Sequence, residues 1–306
     1  MGSTLLAIGA INTDLVATME RAPDAGETIT AETFAIFAGG KGANQAVSAA
    51  RNGAQVAMLG ALGQDANGED RHGDLEAEGI ATDWIYRETG APSGVALIFV
   101  DTRGENRIAY VPGATLLVPV EYCLQAFEAI SPGVVLATNE LPPECLAAVF
   151  REARGKACTV IFNAAPDAGQ SVSLLSSVDM LIVNEGELWA ILGRPAADNV
   201  SIDQLQDVRA MGPEVVVVTR GSRGAMAIGP DGELCQVDPP RVEAVDSTGA
   251  GDAFCGAFAA AISRGETLAV ALRYGVWAGS IATTIPGAQQ SSPTLETIEA
   301  RFHQLD

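Results

Sequence analysis

The chain has 306 residues, of which 48% are hydrophobic and 5% aromatic, and its formal net charge at pH 7 is -20. This length allows a full core in one large domain or two smaller ones, and the low aromatic content favours an α/β protein over a β-sandwich. The negative surface repels nucleic acid and anionic membranes, and disfavours a polyanionic substrate unless a metal or local positive groups compensate. Plain solubility or adaptation to salt is the simpler explanation of the charge itself.

The cysteine and histidine content excludes several kinds of site. The five cysteines are widely spaced and form no C-x-x-C pair, and the two histidines lie in no Cys/His/acid cluster. This argues against a disulfide framework, a zinc site and catalysis by histidine. We find no signal peptide and no apolar stretch of membrane-spanning length, so we expect a cytoplasmic protein.

Short strands and amphipathic helices are predicted from the beginning of the chain. Residues 5–9 predict a buried strand, residues 28–37 predict one or two exposed strands, and the β-branched run 215–218 is typical of a strand buried on both faces. Further strands are predicted over 56–59, 93–100, 106–110, 134–137, 159–162, 180–183 and 225–228. Helices are predicted over 45–51, 65–78, 143–154, 185–192, 252–263 and 267–282.

The order of these elements predicts the fold class. Alternating strands and helices indicate an α/β protein with a doubly wound, mostly parallel sheet flanked by helices. Two segments near 14–38 and 93–112 contain only strands and interrupt this rhythm. We expect them to pair into a small β-sheet that stands over the main sheet as a lid, within a single domain spanning residues 1–306.

Polar side chains follow many of the predicted strands. In doubly wound sheets, ligands bind beyond the carboxyl ends of the strands. One polar residue at a strand end means little, because strand ends face solvent, but six at one rim favour a binding edge. The six residues are Asn12, Asp14, Glu140, Asn163, Asn184 and Thr219.

The segment 246–254, DSTGAGDAF, is the most informative motif. It leads into an apolar pattern with helical spacing, so Gly249, Ala250 and Gly251 lie at a helix N-terminus, where unpaired backbone N–H groups bind anions. The carboxylate of Asp252 at the same point could take a proton from a substrate hydroxyl. The alternative is a glycine-rich loop capped by an aspartate.

Three further segments carry polar groups at strand-to-helix turns. In segment 39–44, GGKGAN, Lys41 and Asn44 offer donors suited to sugar hydroxyls, although it also fits a simple tight turn. Asn184 and Glu187 are one helical turn apart and could hold a ligand or a hydrated Mg²⁺, or could form an ordinary capping box. Segment 219–224, TRGSRG, could line the ribose and phosphates of a nucleotide, or be a surface turn.

These residues, in this order, resemble the ribokinase (PfkB-type) carbohydrate kinase family. The likeness runs from residue 9 to residue 289, and its most specific parts are 39–46, GGKGANQA, and 246–252, DSTGAGD. It extends to segments 94–100, 104–106, 163–166 and 221–224. The chain departs from the common family pattern at Thr115, where an asparagine is usual, and around Val276, where a histidine is often found near the adenine pocket.

The resemblance implies a role for each matching residue. Asp252 would be the base that deprotonates the primary hydroxyl of the sugar, and Gly249, Ala250 and Gly251 would form the anion hole. The sugar hydroxyls would be held by Asn12, Asp14, Gly40, Lys41, Asn44 and Glu140. ATP would be bound by Asn184, Thr219, Gly221, Ser222 and Gly224, with Glu187 holding Mg²⁺ through water.

The resemblance also implies a monovalent cation, usually K⁺, beside the anion hole. Its ligands would be Asp246, Thr248, Ala282, Ile285, Gly287 and Ser291, of which Asp246 and Ser291 would offer side chains and the others carbonyls. Oxygen ligands alone suit a hard cation. The lid of this family often mediates a dimer, so we expect a homodimer through the lid.

Three hypotheses about function remain. The first is an ATP-dependent kinase that phosphorylates D-ribose at its 5-hydroxyl. The second is a kinase of another neutral sugar, such as fructose, or of a nucleoside. A keto-acid sugar would require an arginine that the sugar segments lack, and a nucleoside would require a more aromatic pocket. The third is a non-catalytic sugar-binding protein on the same fold, because fold alone does not establish activity. The retained Asp252 and the intact 249–251 turn argue against it, since pure binding does not need a base there.

Overall fold

The computed structural model describes residues 3–197 and 199–302, which form two β-sheets and the helices around one of them. The strands are β1 (Leu5–Ile8), β2 (Asn12–Thr18), β3 (Thr33–Gly39), β4 (Val56–Gly63), β5 (Ile85–Glu88), β6 (Gly94–Val100), β7 (Asn106–Val111), β8 (Val134–Thr138), β9 (Thr159–Asn163), β10 (Met180–Asn184), β11 (Val215–Thr219), β12 (Ala225–Ile228) and β13 (Leu234–Val237).

The helices over the same residues begin and end as follows. They are α1 (Lys41–Arg51), α2 (Ala66–Ala77), α3 (Val120–Ile130), α4 (Pro143–Arg154), α5 (Glu185–Leu192), α6 (Ile202–Arg209), α7 (Ala250–Ser263), α8 (Leu268–Ala282) and α9 (Leu295–Phe302), with short 3-10 helices over Gly113–Leu117, Ala168–Ser177 and Gly221–Arg223. None of these helices is both long enough and apolar enough to cross a membrane.

The large sheet has nine strands in the order β13-β12-β11-β10-β9-β8-β1-β4-β5. The seven strands from β11 to β5 are parallel, and β12 and β13 add an antiparallel edge. Helices α3 to α6 bury their apolar sides against one face of this sheet, and α1, α7 and α8 cover the other. The predicted doubly wound α/β fold is confirmed.

The small sheet has four strands in the order β3-β2-β6-β7, as predicted from the two strand-only segments. Strand β2 pairs with β6 in parallel, and the other two pairs are antiparallel. Asp14 is in register with Ala96, which is in register with Tyr110. Residues opposite each other point to the same side of a sheet, so the side chains of Asp14 and Tyr110 share one face.

The predicted bounds needed correction in a few places. The helix predicted over 45–51 begins four residues earlier at Lys41, because Gly40 has a φ of 90° and serves as its N-cap. The exposed strand predicted over 28–37 is the single strand Thr33–Gly39. Asn12 and Asp14 were expected at the end of β1 and instead lie within β2, in the small sheet. Strand β5 and helices α3, α6 and α9 had not been predicted.

Candidate active site

Two helices direct their N-termini to the same place above the large sheet. Helix α1 follows Gly40 and helix α7 follows Gly249, and both glycines have a positive φ, of 90° and 74°. The helices approach closely, because a Cβ added at Gly256 of α7 would lie 2.5 Å from the carbonyl oxygen of Gln45 in α1. The Oγ of Ser48 also donates a hydrogen bond to the carbonyl of Ala253, at 2.8 Å.

Asp252 lies in the first turn of α7, and only 6% of its surface is exposed. Its carboxylate accepts two hydrogen bonds from consecutive residues of α1. The Nδ2 of Asn44 donates to Oδ2 at 2.9 Å, and the Nε2 of Gln45 donates to Oδ1 at 3.0 Å. The structure therefore brings Asn44 and Asp252 together, 208 residues apart in the chain.

Glu140 follows β8 and fixes the beginning of α1. Its Oε2 accepts hydrogen bonds from the backbone N–H groups of Ala10 at 2.9 Å and Gly42 at 3.0 Å, and from the hydroxyl of Thr138 at 2.8 Å. Its Oε1 accepts only the longer bond from the N–H of Lys41, at 3.3 Å. Oε2 of Glu140 is thus occupied by hydrogen bonds within the protein, whereas Oε1 has lone pairs that a ligand could use.

Carboxylates and one lysine determine the electrostatics of the site. The negative charge of Asp252, followed by those of Glu140 and Glu187, raises the pKa of Lys41, which therefore stays protonated. Burial, followed by the negative charges of Asp252 and Glu140, raises the pKa of Asp14 to about 6, whereas nearby Arg71 opposes the shift. Burial also raises the pKa of the Glu140 carboxyl.

The glycines of the 246–252 motif have distinct surroundings. A Cβ at Gly249 would lie 2.7 Å from the Cα of Ala288, so the chain requires glycine there. A Cβ at Gly251 would meet nothing within 4 Å, which leaves open space beside the helix N-terminus. The N–H of Ala250 donates to the carbonyl of Ser247 at 3.2 Å, so in this structure it points back into the turn. The N–H groups of Gly251 and Asp252 lack carbonyls one turn earlier within the helix.

The residues expected to bind nucleotide lie side by side at the ends of two strands. Asn184 and Thr219 are in register on β10 and β11. Asn184 and Glu187 form the capping box: each side chain accepts the other's backbone N–H, both at 2.8 Å. The other expected residues, Gly221, Ser222 and Gly224, form the turn that follows Thr219. Gly221 and Ser222 are exposed. Gly224 has a φ of 74° and packs under the carbonyl of Val237.

Glu187 nevertheless remains available to a cation. Only its Oε2 is used in the capping box, and it forms no ion pair with any residue that the structure describes. Burial raises the pKa of its carboxyl, while the N–H of Asn184 and the charge of Lys41 lower it.

Most of the residues expected to bind a monovalent cation are brought together. The carboxylate of Asp246 accepts the N–H of Thr248 at 2.9 Å and that of Gly287 at 2.8 Å, which joins the two loops. The N–H of Ile285 donates to the carbonyl of Ala282 at 3.2 Å. Ser291 is fully buried and donates its Oγ hydrogen to the carbonyl of Ala288, so its lone pairs remain free. Over the described residues, no cluster of three His, Cys, Asp or Glu side chains is arranged to hold a metal.

Three residues that the sequence did not assign to the site lie in it, together with Asn163, which the strand-end pattern had placed at the binding edge. Gln45 and Asn163 form a buried pair behind Asp252. Tyr110 lies on the site face of the small sheet, close enough to Asn12 and Thr115 for both to influence its pKa, which burial raises. Arg71 of α2 donates to the hydroxyl of Thr13 at 3.0 Å. Asn163 had a sequence signal as a polar residue at a strand end, and Gln45 had one because it adjoins Asn44 in the glycine-rich motif.

Comparison with known proteins identifies the family. The sequence model of the pfkB family of carbohydrate kinases matches residues 3–295. The chain belongs to the pfkB family of carbohydrate kinases. It is therefore a phosphotransferase of this family.

The relatives of this pfkB family member extend over nearly its whole length. It is 34% identical to the ribokinase of Bacillus subtilis (strain 168), over 95% of this chain and 97% of that protein. It is 33% identical to the ribokinase of Schizosaccharomyces pombe, over 98% of both. The structure of Arabidopsis thaliana ribokinase complexed with ribose and ATP superimposes with a TM-score of 0.90 at 29% identity, covering 98% of each chain.

We predict that the carboxyl group of Asp14 titrates near pH 6 in the ligand-free protein. Its pKa lies above the ordinary 3.8 because burial and two neighbouring negative charges disfavour the carboxylate. The group is therefore protonated below about pH 6 and charged above it. The Asp252→Asn substitution removes one of these charges and should lower the pKa of Asp14.

Carboxyl ¹³C NMR of aspartate-labelled protein measures this titration, and Asp14→Asn identifies the resonance. Titration near 3.8, or no response to Asp252→Asn, would contradict the described electrostatics.

Proposed function

We propose that this kinase transfers the γ-phosphoryl group of ATP to O5 of D-ribose, with Asp252 as the general base. The observation that carries the proposal is the buried Asp252 carboxylate at the N-terminus of α7, oriented by amide donors from α1. The choice of ribose is supported by relatives named ribokinase at 30–34% identity, and by a structural neighbour that was solved with ribose and ATP.

In the proposed reaction Asp252 accepts the proton of the 5-hydroxyl as O5 attacks the γ-phosphorus. The O5–P bond forms while the bond from phosphorus to the bridging oxygen of ADP breaks, and ADP leaves with that electron pair. Negative charge develops on the transferring phosphoryl group beside Gly249, Ala250 and Gly251, where the helix N-terminus stabilises it. Of these amides, that of Ala250 would have to turn away from Ser247 to take part.

The sugar would lie between the small sheet and the N-terminus of α1. A Cβ at Gly40 would lie 2.4 Å from the carbonyl oxygen of Ala10, so the turn that bounds this space requires glycine. The donors and acceptors would come from both walls. We assign sugar binding to Asn12, Asp14, Gly40, Lys41, Asn44 and Glu140. Asp14, Glu140 and Asp252 are acidic, and the charge of the neighbouring Lys41 is already balanced by Asp252, Glu140 and Glu187. The pocket therefore favours a neutral polyol over a sugar acid.

ATP would be held at the carboxyl ends of β10 and β11. The groups assigned to it are Asn184, Thr219, Gly221, Ser222 and Gly224. Mg²⁺ would neutralise the phosphates when bound, and Glu187 has a carboxylate oxygen free to hold it through water. K⁺ would be held by the oxygens of Asp246, Thr248, Ala282, Ile285, Gly287 and Ser291, and would stabilise the loop beside the anion hole.

A different neutral sugar, such as fructose, or a nucleoside is the alternative substrate. Tyr110 supports this alternative, because it adds an aromatic ring to the site face of the small sheet.

The small sheet would act as a lid and as the interface of a homodimer. The side facing away from the site is apolar and exposed, with Phe34 63%, Ile36 56% and Leu97 40% exposed. Ile36 and Leu97 are both in register with Leu15, and so share one face. A second copy of the same face would bury these side chains in a two-fold symmetric contact.

The Asp252→Asn variant should lose turnover while it still binds ribose. Asparagine keeps the shape of the side chain but cannot accept the proton, and a general base contributes about 10²- to 10⁴-fold to rate. ADP release measures turnover, and titration calorimetry measures ribose binding. Asp70→Asn, an exposed position in α2, serves as the control. Normal turnover in Asp252→Asn would remove Asp252 from its proposed role.

Potassium should activate the enzyme more than sodium at equal ionic strength, because the proposed oxygen cluster joins the loop that follows Asp246 to the anion hole. Asp246→Ala should reduce the difference between the two ions. Initial rates of ADP release in each salt measure both effects. Equal rates of the unsubstituted enzyme in potassium and in potassium-free buffer would refute the cation site.

The Ile36→Lys variant should be monomeric, whereas Ile108→Lys should leave the dimer intact. Both isoleucines are 56% exposed, but Ile108 is in register with Ile98 and therefore lies on the opposite face from Ile36. Sedimentation equilibrium gives the mass of each variant. A monomeric unsubstituted protein, or equal dissociation of both variants, would rule out this interface.

A further inference from the structure

Behind Asp252, on the side away from the sugar pocket, lies a pair of buried amide side chains. The Nε2 of Gln45 donates hydrogen bonds to Oδ1 of Asp252 and to Oδ1 of Asn163, both at 3.0 Å. The Nδ2 of Asn163 in turn donates to the carbonyl of Ile182, at 3.1 Å. A continuous chain of hydrogen bonds thus runs from the backbone of β10, through the end of β9, to the carboxylate in α7.

The two ends of this chain determine the orientation of both amides. The carbonyl of Ile182 can only accept a hydrogen bond, so the NH₂ group of Asn163 must face it and its oxygen must face Gln45. The carboxylate of Asp252 also only accepts, so Gln45 must present its NH₂ group to both neighbours. Flipping either amide would set two acceptors against each other. The rigid large sheet therefore fixes the direction from which Oδ1 of Asp252 receives its hydrogen bond.

Simple packing does not explain why the buried position 45 carries a polar residue. The residue is 1% exposed, and its Oε1 forms no hydrogen bond with any residue in the described part of the chain. An unpaired buried oxygen destabilises a fold, and a methionine would fill the same volume without one. The neighbouring Asn44, 7% exposed, donates to the other oxygen of Asp252 and is assigned to sugar binding in the proposed function.

We propose that Gln45, held in place by its hydrogen bond to Asn163, is a positioning residue for the catalytic base. With one amide donor on each oxygen, the Asp252 carboxylate cannot rotate, and an unused lone pair is directed at the sugar hydroxyl. The proposal rests on the proposed role of Asp252 as that base. Asn44 contributes to sugar binding as well as to orientation, whereas Gln45 acts on turnover alone because it does not reach the pocket.

The Gln45→Met variant tests the proposal, because methionine has a similar length and no donor. We expect kcat to fall about 10- to 100-fold, as for the loss of a hydrogen bond to a charged group, and the KM for ribose to change by less than about twofold. Asn163→Ala, which removes only the hydrogen bond that holds Gln45 in place, should lower kcat by a smaller factor. It also provides a second test should Gln45→Met fold poorly.

Ser48→Ala is the matched control. Its hydroxyl is also buried between α1 and α7, but it donates to the carbonyl of Ala253 and does not touch Asp252. We expect it to lower the melting temperature by removing a buried hydrogen bond between the two helices, with kcat unchanged. A parallel fall of kcat in Ser48→Ala would mean that loosening of the helix pair explains the effect, and would overturn the proposal.

A double-mutant cycle separates this proposal from the proposed function. In an Asp252→Ala background, Gln45→Met should have no further effect on single-turnover rates, because no carboxylate remains to be positioned. An unchanged kcat in Gln45→Met, or an equal loss in both backgrounds, would overturn the positioning role and leave Asp252 as the base. Normal turnover in Asp252→Ala itself would overturn the proposed base and this inference together.

Discussion

The close approach of helices α1 and α7 is the constraint on which the rest of the site depends. It is possible because glycine occurs where one backbone meets another. A Cβ at Gly256 would lie 2.6 Å from the Oγ of Ser48, and a Cβ at Gly42 would lie 2.6 Å from the carbonyl carbon of Gly9. With these contacts, the N-termini of both helices open onto one space. In the proposed function, that space would combine an anion-binding helix end with donors for a polyol, which is the combination that phosphoryl transfer to a sugar requires.

Few positively charged side chains balance the carboxylates of the site. Asp14, Glu140, Glu187 and Asp252 surround it, and the amino group of Lys41 interacts with three of them. Part of the acidity is offset by backbone N–H groups, as at Glu140, and part by burial that favours the protonated form, as at Asp14. A site with this surplus of negative charge favours neutral hydroxyl compounds, and phosphates only when a metal accompanies them.

Local sequence signals accounted for the fold class and for the position of the site. Alternating strand and helix patterns predicted the large sheet, and the glycine turns at 39–44 and 249–251 predicted both helix N-termini. Strands end in polar residues for general reasons, however, so that pattern could not distinguish Glu140, whose carboxylate caps α1, from Asn163, whose amide turns inward. Contacts between residues more than 100 positions apart, such as Gln45 with Asp252, leave no periodic signal and required the tertiary structure.

Identification of the phosphorylated product is the most direct test of the proposed transfer to O5 of ribose. The purified enzyme would be given Mg-ATP with ribose, deoxyribose, fructose, a deoxy-keto gluconate and adenosine in separate reactions, each in potassium buffer. ADP release would be followed, and the products assigned by ³¹P and ¹³C NMR. We predict the highest kcat/KM on ribose, with a single product phosphorylated at O5. Turnover confined to another substrate, or phosphate attached elsewhere on ribose, would contradict it.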